Sequence, residues 1–370
     1  MKWRGLLLVA LLGVGAAHGE VRYSFWATGI PEGMNPQGYI QPLGVAADGT
    51  VFTESFYQFN KPFYVGQIRQ TSPYTVFSEG QSFGISSKGE SSRRYAPNPD
   101  TSLEHYAQLI RQDGTVVKSV APSLRQNVFA TAVGEDGDTL GGFDYDDFGF
   151  TWVSTSWVHK NGVKTFLWEA GDSYISDINA KGDLCGIKGS FRERGSQGDL
   201  GAGSFFYKDG VYHEVWNPSE RPDSYHIANA INDQGIISGY TWESDLSPGA
   251  GFLLDINTGI YTYLEATAFW GINNKGVAVG GANGLGAGIM ENGVVSNLSD
   301  LVDPSVSARY LLAKAWSIND NGVIAVEGWD KLDPHKRIQT FILTPVPEPA
   351  TLAALGLGAL GLVRRRRKTA

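Results

Sequence analysis

A tight turn repeated seven times constrains this chain more than any other feature. The segments GVAADGTVF, GISSKGESS, AVGEDGDTL, DINAKGDLC, AINDQGIIS, GINNKGVAV and SINDNGVIA align on Gly49, Gly89, Gly137, Gly182, Gly235, Gly276 and Gly322. Successive anchors are 40, 48, 45, 53, 41 and 46 residues apart. Four positions before the glycine stand Val45, Ile85, Val133, Ile178, Ile231, Ile272 and Ile318. All are β-branched, which suits a packed strand. One place earlier stand Gly44, Gly84, Ala132, Asp177, Ala230, Gly271 and Ser317, nearly all small. Three before the glycine, the last four repeats carry Asn179, Asn232, Asn273 and Asn319. A glycine at positive φ with an Asn closing the turn reads as strand, turn, strand, so a structural role for these asparagines outweighs a ring of polar ligands.

A second hairpin follows in each complete unit, as in SWVHKNGVKTFLW (156–168), SFFYKDGVYHEVW (204–216), GFLLDINTGIYTYL (251–264) and GIMENGVVSNL (288–298). Four strands at a period near 45 residues describe a β-propeller blade. The expected fold is therefore all-β: a seven-bladed propeller of four-stranded blades spanning residues 20–345. VRYSFWAT (21–28) reads as a lone fourth strand, and the seventh repeat ends after RIQTFIL (337–343) with only three. The N-terminal strand would join the last blade, close the ring and cover its edges, giving 28 strands. An open solenoid is the alternative.

The recurring small-[Val/Ile]-Asn-x-x-Gly followed by an apolar strand and an apolar-aromatic hairpin resembles the HAF family of extracellular repeats. The resemblance covers roughly residues 21–345; repeats four to seven match it well, and the first three lack the Asn. It implies export and a propeller-like architecture.

The two ends carry a different signal. Lys2 and Arg4, the apolar run Leu6–Ala17 and small residues through Gly19 read as a secretory signal over 1–19. Residues 346–370, VPEPATLAALGLGALGLVRRRRKTA, hold an apolar run too short for a membrane span. Pro347, Glu348 and Pro349 precede it, and Arg364, Arg365, Arg366 and Arg367 follow as a positive stop. This order resembles the PEP-CTERM sorting signal. The resemblance implies processing by an exosortase in a Gram-negative bacterium that makes exopolysaccharide, with transient membrane insertion of the tail and a cut near Pro-Glu-Pro. The body would then reach the cell surface or matrix.

Chemistry is sparse. Without the two ends the body holds 23 basic and 37 acidic residues, a charge of −14, which argues against nucleic acid and anionic lipid as partners. Cys185 is the single cysteine and sits in an apolar strand pattern. No histidine pair has metal-ligand spacing and no nucleophile motif appears, so no catalytic residue, metal or cofactor is assigned. The most acidic stretch, GFDYDDFGF, offers Asp144, Asp146 and Asp147 as weak metal candidates; a solvated loop between the second and third strands of blade three is the preferred reading. Glu135, Asp136 and Asp138 read as turn residues. The function expected is an exported structural or polysaccharide-binding propeller. A secreted glycan hydrolase or lyase is the competing class, because blades can converge carboxylates distant in the chain.

Overall fold

The computed structural model describes residues 22–346 except 29–37, 57–63, 70–71, 80–83, 96–104, 124–126, 148–151, 169–171, 189–202, 218, 220, 222–223, 244–247, 266 and 283–285. The signal segment and the sorting tail from Pro347 onward lie outside the described residues.

Each repeat folds where its glycine permits a left-handed turn. All seven anchor glycines hold φ between 74° and 87°, and each donates its N–H to the carbonyl three residues back. The second hairpins of blades three, four and six turn through Asn161-Gly162, Asp209-Gly210 and Asn292-Gly293 with both residues at positive φ. That geometry matches the twist of the flanking strands. The result is seven antiparallel sheets, one per repeat. Blade five is representative: Tyr225–Ile231, Ile236–Trp242, Pro248–Asp255 and Ile260–Leu264 pair in chain order.

Blade two departs from the expected count. It has three strands, Ser91–Tyr95, Tyr106–Ile110 and Val116–Val120. Its innermost position holds only an isolated bridge between Ile85 and Ser91. Ser92 Oγ accepts the Gly84 N–H at 2.9 Å, so a hydroxyl takes a donor that a ladder would use. The described residues therefore form 27 strands instead of 28.

The segment Tyr23–Ala27 pairs antiparallel with Gln339–Pro345, in register from Tyr23 opposite Pro345 to Ala27 opposite Phe341. The last sheet thus combines the two most distant strands of the chain. Phe25 packs on Tyr310 and Phe341 with centroids 4.9 and 5.1 Å apart. Blades seven and one also touch: Thr340 Oγ1 donates to the Ile40 carbonyl at 2.9 Å, and Ile40, Val45 and Val51 pack with Ala325 and Ile342.

The hydrophobic core is divided among the spaces between neighbouring sheets. Cys185, Phe206 and Val215 of blade four pack against Ala228, Ile231, Ile237 and Phe252 of blade five. Cys185 is a buried free thiol there; burial, then the charge of Asp177, pushes its pKa well up, which leaves it unreactive. A short helix, Pro304–Arg309, joins blades six and seven and was not foreseen. Its signal is Asp303-Pro304: the Asp303 carboxylate accepts the Ser305 N–H, and proline fits the first helical position.

Candidate functional site

A bulge in the innermost strand decides which side chains face the centre. In six blades that strand slips register by one residue, leaving Leu43, Thr131, Ser176, Asn229, Trp270 and Trp316 unpaired. All six line a central cavity of about 1260 Å³ bounded by the inner strands of six blades and by Gly84, Ile85 and Arg94 of blade two. The second strand answers the bulge with a glycine. A Cβ on Gly142, Gly186, Gly239 or Gly280 would lie 2.0, 2.4, 2.0 or 1.8 Å from a carbonyl oxygen of the facing strand.

The end of the cavity nearest the anchor turns is acidic, and its acids are employed in architecture. Asn179, Asn232, Asn273 and Asn319 are buried. Each Oδ1 accepts the N–H groups two and four residues on, closing its own turn. Each Nδ2 donates to the next blade, at Asn232, Asn273, Asn319 and Ala46 carbonyls respectively, over 2.7–3.1 Å. A second set of bonds runs one residue further along the turn. Asp233 accepts the Ala180 N–H, Asn274 accepts that of Asp233, and Asp320 accepts that of Asn274, each at 2.8 Å. Glu135 accepts the Ser87 N–H at 2.8 and 2.9 Å.

Asp177 breaks the small-residue column and enters this end of the cavity. Its carboxylate accepts the Ile178 N–H at 2.8 Å and the Ile231 N–H of blade five at 2.9 Å. Although its surface is only partly covered, the flanking blades desolvate the carboxyl. That burial, together with the charges of Glu135 and Asp233, pushes its pKa up to about 7 against the pull of the two N–H bonds. Glu135 is shifted upward too, first by burial and then by Asp233, although Ser87 and Lys88 oppose it.

The opposite end is aromatic and carries cations. Phe129 lies 5.4 Å from both Phe143 and Tyr145, and Phe143 lies 6.4 Å from Tyr174. A second group joins Tyr240 to Trp270 at 5.2 Å and Trp270 to Trp316 at 5.3 Å. Each group has a cation on a ring face: Arg94 sits 4.5 Å over Phe129, and Lys314 sits 3.2 Å over Trp270 and 3.6 Å over Trp316. Arg94 Nη2 donates to His105 Nε2 at 2.8 Å, while His105 Nδ1 meets Asn127 Oδ1 at 2.6 Å. An oxygen acceptor at Nδ1 requires the proton there, leaving Nε2 to accept from Arg94. Burial, then the Arg94 charge, lowers the His105 pKa and keeps the ring neutral.

Among the described side chains, the acids singled out in the sequence do not assemble into a site. Asp144, Asp146 and Asp147 are strand residues of Leu140–Asp147, which corrects the expectation of a loop. Asp144 is fully buried and pairs with Lys164, whose Nζ also sits 4.7 Å over Trp157. The side chains of Asp146 and Asp147 lie outside the described residues. Asp136 pairs with Lys160 at 2.9 Å and Asp138 with Lys118 at 2.8 Å, while Glu135 turns to the cavity. Burial works against ionisation of Asp136, but the bonds from Thr139, Lys160 and the Asp138 N–H win and hold its pKa well below the carboxylate range. Among the described residues no group of three or more His, Cys, Asp or Glu could hold a metal ion. Asp177 and Arg94 were missed. Asp177 had a signal, as the one charged residue in a column of small ones; Arg94 had none, since nothing in an Arg-Arg pair says which guanidinium turns inward.

Comparison with solved structures agrees with the architecture. Oligogalacturonate lyase from Vibrio parahaemolyticus is similar at 9% identity with a TM-score of 0.54, covering 90% of this chain and 99% of that one. An oligogalacturonate lyase in complex with manganese gives 12% identity and a TM-score of 0.53 over 90% and 99%. The β-propeller domain of the Trilobed protease from Pyrococcus furiosus gives 11% and 0.50 over 85% and 97%. At these identities the likeness concerns the fold alone. The chain spans about half, 51%, of an acylaminoacyl peptidase that also matches, at a TM-score of 0.48. No curated protein matches it by sequence. No helix among the described residues is long and apolar enough to cross a membrane. Residues 345–368 match the PEP-CTERM protein-sorting motif, which indicates export and sorting to the cell surface and implies an exosortase as processing partner.

Proposed function

We propose that the protein is a surface-delivered β-propeller that binds extracellular polysaccharide and does not cleave it. In this reading residues 1–19 are removed on export, 20–345 form the propeller with HAF-like repeats, and 346–370 are removed by exosortase near Pro347-Glu348-Pro349, with Arg364–Arg367 as the transient stop. The ring is closed by the N-terminal strand in the last blade and by the bonds from blade seven to blade one. One observation carries the binding assignment: half-buried Trp270, Trp316 and Tyr174 line a cavity large enough for a sugar chain. Flat aromatic faces with a polar rim suit sugar rings.

The test is retention of the producer's exopolysaccharide on immobilised processed protein. Retention is expected, and Trp270→Ala should weaken it several-fold, in line with the roughly 0.5–1.5 kcal/mol of a ring contact. Absence of retention would contradict the assignment. Intact mass of the secreted protein should lack Arg364–Arg367, and their presence would contradict exosortase processing.

Asp177 favours a second reading. A carboxyl poised near pH 7 beside Glu135 has the acidity of a general acid, and the similar folds include lyases. Against it, both Asp177 oxygens and the carboxylates of Glu135 and Asp320 are taken up by backbone N–H groups, and those of Asp233 by the Ala180 N–H and the Asn274 side chain.

A further inference from the structure

We propose that the aromatic end of the cavity is built for an acidic saccharide, with Arg94 pairing the carboxylate of a uronic-acid residue. The inference rests on the polysaccharide reading and narrows it to one chemical class.

Arg94 is a guanidinium in an unusual position. It lines the cavity, and burial lowers its pKa, opposed only by the nearby Tyr145. Among the described residues no carboxylate pairs with it, and its buried Nε has no hydrogen-bond partner. Among the described residues its hydrogen-bond partner is the neutral His105, which removes no charge. A partly desolvated cation with no counter-ion is costly in the free protein. An anion arriving in the cavity would neutralise that charge.

The support around Arg94 fixes its orientation. Phe129 holds the plane of the guanidinium, and His105, locked by Asn127, holds one edge. Nη1 has no hydrogen-bond partner among the described residues and is left to donate to a carboxylate. Phe143 and Tyr174, also in the cavity wall, place ring faces beside it for the sugar body. Glu135, Asp177, Asp233 and Asp320 sit at the other end, but Glu54, at the position of blade one equivalent to Arg94, also lines the cavity, so selection of an acidic sugar depends on Arg94 itself and not on the sign of the whole end. The body's charge of −14 opposes non-specific adsorption of a polyanion. Capture must therefore depend on local pairing, and a single cation should carry much of it.

The experiment measures binding of a glucuronate-containing oligosaccharide and of its carboxyl-reduced neutral counterpart by calorimetry, with wild type, Arg94→Gln and Arg94→Lys. Wild type should bind the acidic form at least about tenfold more tightly, the scale of one charge-assisted pair. Arg94→Gln should erase that preference and Arg94→Lys should keep part of it. The melting temperature of Arg94→Gln should stay level or rise, because an uncompensated cation is removed. Equal binding of both sugars by wild type, or an acidic preference that survives in Arg94→Gln, would overturn the Arg94 assignment while leaving polysaccharide binding intact. A fall in melting temperature with unchanged sugar preference would mark Arg94 as merely structural. Binding of neither sugar would overturn both readings.

Discussion

Blades four to seven and blades one to three solve the same junction differently. In the later blades an asparagine closes its own turn with two acceptor bonds and reaches the next blade with a donor. The last link of that ladder lands on blade one, where Ala46 offers a carbonyl and only a methyl side chain. In the earlier blades the position holds Ala46, Ser86 and Gly134. There the junction uses a main-chain bond, Ala47 N–H to the Ser87 carbonyl at 2.7 Å, and the Glu135 carboxylate on the Ser87 N–H. Buried amide bonds with three partners are strong and specific, whereas the bond at Glu135 is offset by the desolvation of its carboxylate. The regular half is therefore the rigid part of the scaffold. The irregular half can tolerate specialised residues, and Arg94, His105 and Phe129 lie in it.

The strongest challenge to this division is at the seam where the halves meet. Deleting residues through Thr28 removes buried Tyr23 and leaves the Gln339–Pro345 strand as an open edge. The cooperative unfolding transition should be lost or the protein should aggregate; an unchanged melt would show that the seam is dispensable. Asn232→Ala comes next. It leaves two N–H groups without this acceptor and removes one of the two donors to the Asn273 carbonyl, at a cost of about 2–3 kcal/mol in denaturant unfolding. Glu135→Ala, the corresponding loss in the irregular half, should cost about 1 kcal/mol or less, because burial disfavours the ionised carboxylate and offsets its bonds to Ser87. Equal costs for the two variants would erase the distinction between the halves.

The smallest effect is in pH dependence. Asp177 has a folded pKa near 7, above its unfolded value near 4. Between those values the folded state holds more protons than the unfolded one. Its contribution to stability is therefore greatest below about pH 4 and falls as pH rises to about 7. Asp177→Asn should remove that slope from melts taken between pH 5 and 8. Asp333 acts oppositely and lower: its bond from Arg337 leads, and together with the neighbouring N–H groups holds its pKa down to about 2. That stability is lost only as pH falls below about 4. A slope that persists in Asp177→Asn would move the titration to another group.

Much of the architecture was legible because each turn needs glycine at positive φ and each inner strand a β-branched residue, so Gly49 through Gly322 locate seven sheets. The lone VRYSFWAT strand was legible because the last repeat was one strand short. The site was harder. Alignment along the chain shows which residues are equivalent, and it does not show which converge. Leu43, Thr131, Ser176, Asn229, Trp270 and Trp316 share a column but differ in chemistry, so the column looks unconstrained until the bulge turns it inward. The second-strand glycines Gly186, Gly239 and Gly280 were the readable trace of that bulge. Asp144 misled in the opposite sense: an acid-rich stretch looks solvated, yet Asp144 is buried against Lys164, a half-buried partner 20 residues away.

The proposed function assigns Glu135, Asp177, Asp233 and Asp320 to holding blades together and the cavity to binding without cutting. The direct measurement is the chain-length distribution of the producer's exopolysaccharide after incubation with wild type and Asp177→Asn. Chain length should be unchanged by both, with both proteins retaining the polymer. New reducing ends or unsaturated products formed by wild type and absent with Asp177→Asn would contradict the claim and make Asp177 a catalytic acid.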